Sequence, residues 1–116
     1  MQELENINLL ALNCKHYTKD DPKLSKAEII NLLKKLSGWQ RVKNHIYKDF
    51  KFKNYYETIA FVNAVAWVVQ QQDHHPEIII NYNMCHIKFT THSINGLSLN
   101  DFICSAKINS IQSHEH

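Results

Sequence analysis

Two pairs of short strand-like segments, each pair joined by only a couple of residues, constrain this chain more than any other feature. Residues 39–42 and 45–53 flank Lys43-Asn44, and residues 77–82 and 85–91 flank Asn83-Met84. Connections that short join antiparallel neighbours, because a parallel crossover needs a dozen or more residues. In the second segment Ile46, Phe50 and Phe52 share one parity, and Tyr47, Asp49, Lys51 and Lys53 share the other. In the fourth, Cys85, Ile87, Phe89 and Thr91 alternate with His86, Lys88, Thr90 and His92. Alternation of period two predicts a sheet with one packed face and one wet face. Lys48 breaks the apolar parity.

Helical signals fall between and around these pairs. Ser25-Lys26-Ala27-Glu28 is a capping box, in which the Ser side chain accepts from the N3 amide and the Glu reaches back. Ile29, Ile30, Leu32, Leu33 and Leu36 then keep helical spacing as far as Gly38, a natural stop. Asn54-Tyr55-Tyr56-Glu57 caps a longer helix running to Gln72, with Ala60, Phe61, Ala64, Val65, Trp67, Val68 and Val69 leaving it little polar face. A helix apolar on most sides must be covered on most sides, and in so small a domain part of that cover is expected from another subunit. Asn95-Gly96 is a turn, and Ser98-Leu99-Asn100-Asp101 caps a last helix carrying Phe102, Ile103, Ala106, Ile108 and Ile111.

Helix, two strands, helix, two strands, helix is the order of an α+β domain. The expected architecture is a single four-stranded antiparallel sheet with helices packed on one face. Residues 1–24 read as an irregular arm with a short helix near 7–12, residues 25–112 as the domain, and residues 113–116 as a frayed tail.

At 116 residues the chain supports one core of modest depth. A net charge of +2, spread over dispersed lysines, argues against a nucleic-acid surface. Lys34-Lys35 and the basic stretch 48–53 read as solvated faces. No apolar run approaches the roughly 18 residues a membrane helix needs, and the acidic start lacks the pattern of a signal peptide. Cys14, Cys85 and Cys104 show neither C-x-x-C spacing nor an even framework. A cytoplasmic location with reduced thiols is expected, Cys85 and Cys104 filling the core.

The chemistry-bearing residues are Asp73-His74-His75-Pro76-Glu77 and, further on, Thr90-Thr91-His92. Histidine alone has an unperturbed pKa that lets it give and take protons near neutrality. Three imidazoles around one pocket could protonate a leaving group and hold a polar heterocycle. They are poorly suited to a metal: there is no H-E-x-x-H and no Cys/His zinc spacing. His74 and His75 are adjacent, and in the extended backbone favoured before Pro76 neighbouring side chains point apart. No metal site is expected. His16, His45, His86, His114 and His116 read as ordinary structural or surface histidines.

The spacing His74-His75-Pro76, five residues, Tyr82, nine residues, His92, eight residues, Asp101 resembles the signature of the pterin-4a-carbinolamine dehydratases. Leu36-Ser37-Gly38-Trp39, Phe50-x-Phe52 followed by Ala60-Phe61, and Gly96-Leu97-Ser98-x-x-Asp101 are similar to further elements of that family, so the likeness covers residues 25–111. It implies dehydration of 4a-hydroxytetrahydropterin to quinonoid dihydropterin, which recycles the cofactor of aromatic amino-acid hydroxylases. The pterin is then the substrate, and neither metal nor other cofactor is implied. By the same resemblance His74 and His92 would be the acid/base pair, His75 would chiefly bind and orient the pterin, and Asp101 at the rim would orient an imidazole. Gln70 and Asp73 would help to bind the ring, and Trp39 would form part of the pocket wall or support it, a plain core tryptophan at a strand start being the equal alternative. One position departs: Gln70 stands where the family usually has an ionisable residue. Glutamine can orient a histidine by hydrogen bonding but cannot supply a charge. The resemblance also implies dimers pairing sheet edges or tetramers. It leaves open a second function as a pterin-binding or oligomeric interaction partner with weak or no catalysis.

Overall fold

The computed structural model describes residues 6–113. The first helix, α1 (Lys26–Leu33), starts on the expected capping box: Ser25 Oγ accepts from Glu28 N at 3.2 Å and Glu28 Oε1 accepts from Ser25 N at 2.8 Å. Its α-helical part ends before Gly38. Lys35 N donates to Leu32 O and Leu36 N to Leu33 O, tighter three-residue turns that swing the chain towards the sheet. Gly38 then takes φ 85°, a left-handed conformation at which a side chain is strained.

Strands β1 (Gln40–Val42) and β2 (His45–Lys51) form the first hairpin, turning on Lys43 at φ 56°. Helix α2 (Tyr55–Gln72) comes next, its first turn capped by Asn54 Oδ1, which accepts from Glu57 N at 2.9 Å. Strands β3 (Glu77–Ile80) and β4 (Met84–Phe89) form the second hairpin. Both are shorter than the alternation suggests. Asn81 N bonds Met84 O and Phe52 N bonds Asn83 O, so the turn starts at Asn81 and Phe52 already lies beyond β2. Helix α3 (Leu99–Ser113) closes the domain. Residues 114–116, most of the expected frayed tail, lie outside the described residues.

The sheet order is β1-β2-β4-β3, antiparallel throughout. This is the expected α+β architecture. Register explains the alternation: Ile46 faces Phe89 and Phe50 faces Cys85 on the inner side, while Asp49 faces His86 on the outer side. The inner residues are fully buried against Phe61 and Val65 of α2 and Phe102 and Ile108 of α3. Lys48, the break in parity, faces Ile87 on the inner side. Its stem covers apolar surface, its ammonium lies 4.7 Å from the Phe50 ring centroid, and Nζ donates to Ser37 O and Asn109 Oδ1 at 2.9 Å each. A lysine stem can be buried when its head finds acceptors. Burial lowers its pKa from the ordinary value.

The arm is ordered against this body over the described residues. A single 3₁₀ turn, Leu9–Ala11, lies within the expected 7–12 stretch and buries Leu9. Helix α2 buries Thr58, Phe61, Val65 and Val69 on one row, whereas Trp67 is 68% exposed and Tyr56 82%.

Candidate active site

The end of α2 sets the site. Asp73 takes φ 52°, its N–H bonds Gln70 O, and His74 N–H bonds Val69 O. These are the two bonds of a Schellman stop, with Asp tolerated in the position glycine usually fills. The stop reverses the chain and sends the next two side chains different ways. His74 turns inward, and His75 stays exposed, with Nε2 3.3 Å from Gln70 Oε1.

His74 is tightly held. Its ring stacks on Phe89 with centroids 5.6 Å apart and planes 7° from parallel, and its Nε2 lies 2.6 Å from Asp101 Oδ1. The other carboxylate oxygen, Oδ2, accepts from Thr91 Oγ1 at 2.8 Å and from Ser98 N at 2.9 Å. Asp101 is wholly buried, and a carboxylate in that position persists only when its oxygens are satisfied. An ionised Asp101 requires Nε2 of His74 to carry the hydrogen, which leaves Nδ1 as the acceptor of a neutral ring. Asp101 thus stands behind His74, not at the rim where the sequence suggests it. The first turn of α3 holds it there, since Ser98 Oγ accepts from Asn100 N while Asp101 accepts from Ser98 N.

His74, His75, His92 and Asp73 line one cleft of about 460 Å³, together with Thr90 and Thr91 from the end of β4. That volume suits a small heterocyclic ligand. His92 sits on a 3₁₀ turn, His92–Ile94, which comes after β4 and ends on Asn95 at φ 53°. An adjoining recess of about 270 Å³ shares His75, His92 and Thr90 and adds His45. Burial, with Lys88 and His86 nearby, holds the His45 pKa below its ordinary value.

Of the readings open for Trp39 the structure takes the core one, and Gln70 lies off the cleft wall. Trp39 is buried in the core, edge-on to Phe50 and 6.0 Å from Phe89 between ring centroids, with Nε1 donating to Asn109 Oδ1. It lines no part of the cleft and reaches the site only through Phe89, because an apolar ring beside two phenylalanines gains more from the core than from a wet wall. Gln70 stands beside His75 and off the cleft wall, which takes Gln72 in its place.

The arm was the unseen contributor. Cys14, Lys15, His16 and Tyr17 form a wall of the cleft, so His16 belongs to the site's surroundings despite reading as an ordinary surface histidine. Cys14 N donates to Gln72 Oε1 at 2.7 Å. Asn100 pairs with the Lys15 backbone through both amide atoms, at 3.0 and 2.7 Å. No local spacing announces such contacts. His86 sits on the outer sheet face, hydrogen-bonded to Asp49 at 2.6 Å and stacked on Tyr47. Among the described residues no three histidine, cysteine or acidic side chains are grouped to hold a metal ion, and no helix is long and apolar enough to cross a membrane.

Fold and site together define a small α+β protein with a histidine-lined cleft at one end of its sheet. The sequence model of the family described as pterin 4 alpha carbinolamine dehydratase matches residues 22–111. The chain belongs to that family. It is 50% identical over 104 residues to a protein of Nitrosospira multiformis provisionally named pterin-4-alpha-carbinolamine dehydratase, covering 90% of this chain and 92% of the relative. A relative of the same provisional name from Nitrosomonas eutropha is 56% identical over 96 residues, covering 82% and 85%. Among solved structures, the transcriptional coactivator/pterin dehydratase from Brucella melitensis superposes with a TM-score of 0.75 at 34% identity, over 78% of this chain and 98% of that one. A pterin dehydratase-like protein identified as a RuBisCO assembly factor in the alpha-carboxysome shares the fold at a TM-score of 0.55 and 21% identity, over 64% and 88%.

Proposed function

We propose that this chain is a cytoplasmic hydro-lyase that dehydrates 4a-hydroxytetrahydropterin to the quinonoid dihydropterin. The observation that carries the reading is His74, braced by a buried Asp101, on the same cleft wall as His75 and His92. Breaking the bond from carbon 4a to oxygen is slow while hydroxide must leave, and it accelerates when the oxygen departs as water. A proton must also leave the pterin ring. His74 and His92 are the acid/base pair for these transfers, a role worth typically ~10²–10⁴-fold. Asp101 fixes the His74 tautomer, so that Nδ1 is the nitrogen that accepts or returns a proton. His75, steadied by Gln70, binds and orients the ring, and Asp73 faces the same cleft. The pterin is the substrate. Neither metal nor further cofactor enters the scheme, and activity should survive chelation.

Purified protein should raise dehydration above the spontaneous rate in an assay coupled to an aromatic amino-acid hydroxylase. His74→Ala and His92→Ala should each lower kcat by about 10²-fold or more. His75→Ala should act mainly on KM, and His86→Ala should change little. Pterin-analogue binding without turnover would overturn the enzyme reading in favour of a binding module. Equal damage from His86→Ala and His92→Ala would overturn the assignment of roles.

Self-association into dimers or tetramers accompanies this reading. Trp67 and Tyr56 project from α2, and Ile79 and Ile80 lie half-exposed on the edge strand β3. Exposed aromatic side chains on a helix and exposed isoleucines on a sheet edge are the surfaces such association would use. The name of the Brucella melitensis relative, which joins coactivator to dehydratase, supports a partner-binding role beside catalysis.

A further inference from the structure

Cys14 Sγ and Cys104 Sγ lie 3.6 Å apart, although ninety positions separate them in sequence. Both are free thiols. Their settings differ sharply: Cys104 is completely buried in α3, whereas Cys14 is half-buried and lines the histidine cleft. The contact is fixed from both sides of Cys14. Its own N–H donates to Gln72 Oε1, and Gln72 Nε2 donates to Asn13 Oδ1 at 3.0 Å. Next along the arm, Asn100 holds the N–H and C=O of Lys15. Side chains from α2 and α3 therefore clamp the arm so that one sulfur faces the other, near enough for small side-chain rotations to bring them to bonding distance.

We propose that Cys14 and Cys104 are a reversible dithiol–disulfide modification site that takes a low-molecular-weight disulfide as oxidant, Cys14 reacting first and Cys104 resolving. The Cys14 thiolate attacks one sulfur of the oxidant, forming a mixed disulfide and expelling one small thiolate. The Cys104 sulfur then attacks Cys14, its proton leaving with the second small thiol. Two protein thiols become one disulfide, and one small disulfide becomes two thiols.

The electrostatics favour that order. The hydrogen bond from Cys104 lowers the Cys14 pKa against the opposing effect of its partial burial, and thiolate character governs attack. The same hydrogen bond, and after it burial, raises the pKa of Cys104. Once Cys14 is capped it is no longer an anion, so the largest restraint on Cys104 is removed by the first step. Cys85 is an internal control: it is buried on the inner face of β4, and desolvation pushes its pKa up to about 11. The bond would fasten the arm to α3 along the cleft wall and close a loop of ninety residues, which restricts the unfolded chain strongly.

The test uses the intact protein incubated with oxidised glutathione, quenched by alkylation and read by mass spectrometry, without reference to any pterin. The expected product has lost two hydrogen atoms and retains no glutathione. On digestion it yields the Cys14 peptide linked to the Cys104 peptide, and dithiothreitol reverses the link. Cys85 should be alkylated only after unfolding. The oxidised protein should melt several degrees higher than the reduced form. Cys104→Ala, or Cys104→Ser should the first not fold, should stop at a stable glutathione adduct on Cys14. A persistent adduct on the wild-type protein, a linkage through Cys85 or between chains, or no reaction at Cys14 would each overturn the proposal.

Discussion

Asp101 illustrates how much one residue can depend on its oxygens. Oδ1 serves His74 while Oδ2 serves Thr91 and Ser98. Asparagine has one acceptor oxygen, so Asp101→Asn must either leave the His74 ring N–H or the Ser98 amide facing an amide nitrogen or drive His74 to its other tautomer. An unmet buried donor costs about 1–3 kcal/mol, and the His74 tautomer loses its determinant. Calorimetry should show a lower Tm for Asp101→Asn, together with a fall in kcat on the order of 10²-fold; unchanged turnover would remove Asp101 from the mechanism. Gln70 offers the opposite test. It meets His75 through a neutral oxygen, and Gln70→Glu would place a carboxylate there that favours the imidazolium. The acidic limb of the kcat/KM profile should move to higher pH, because a His75 that binds the ring in its neutral form reaches that form only at higher pH once a carboxylate holds its proton. An unmoved limb would mean that His75 titration does not govern the reaction.

Elements meet at corners, and the corner between α1 and β1 rests on Gly38. At φ 85° a side chain is strained, and a Cβ there would lie 2.7 Å from Lys48 Cε. Lys48 cannot swing away cheaply, because its ammonium is held by Ser37 O and by Asn109 Oδ1, which also accepts from Trp39 Nε1. Gly38→Ala should therefore cost about 1–3 kcal/mol, read as a lower urea midpoint with unchanged slope. A midpoint equal to wild type would show that the lysine relocates freely. The same network ties the first hairpin to α3, and through Trp39 and Phe89 it reaches the ring on which His74 stacks.

For the whole molecule the open question is what meets the exposed row of α2. The sheet and α3 cover only one side of that helix, and Trp67 is left two-thirds in water. Analytical ultracentrifugation should show a multiple of the 13.6 kDa chain mass at micromolar concentration, and Trp67→Asp should move the distribution towards the single chain. A wild-type species sedimenting at the chain mass would leave that face without a partner of its own kind.

The sequence by itself determined whatever depends on neighbours along the chain. The capping box at Ser25, the cap at Asn54, the two hairpins and their inner parity are interactions spanning a few residues or a period of two, so residue type and spacing specify them. The grouping of His74, His75 and His92 was legible from their placement at the corner before Pro76 and at a strand end, and from the family spacing. Tertiary structure decided the rest: Asp101 sinking behind His74, Trp39 turning into the core, and the arm bringing Cys14 to Cys104 and His16 to the cleft. These contacts join residues 27 to 90 positions apart. Their energies come from burial and from matching buried donors to acceptors across separate elements, and no local pattern in the chain encodes which distant partner will satisfy them.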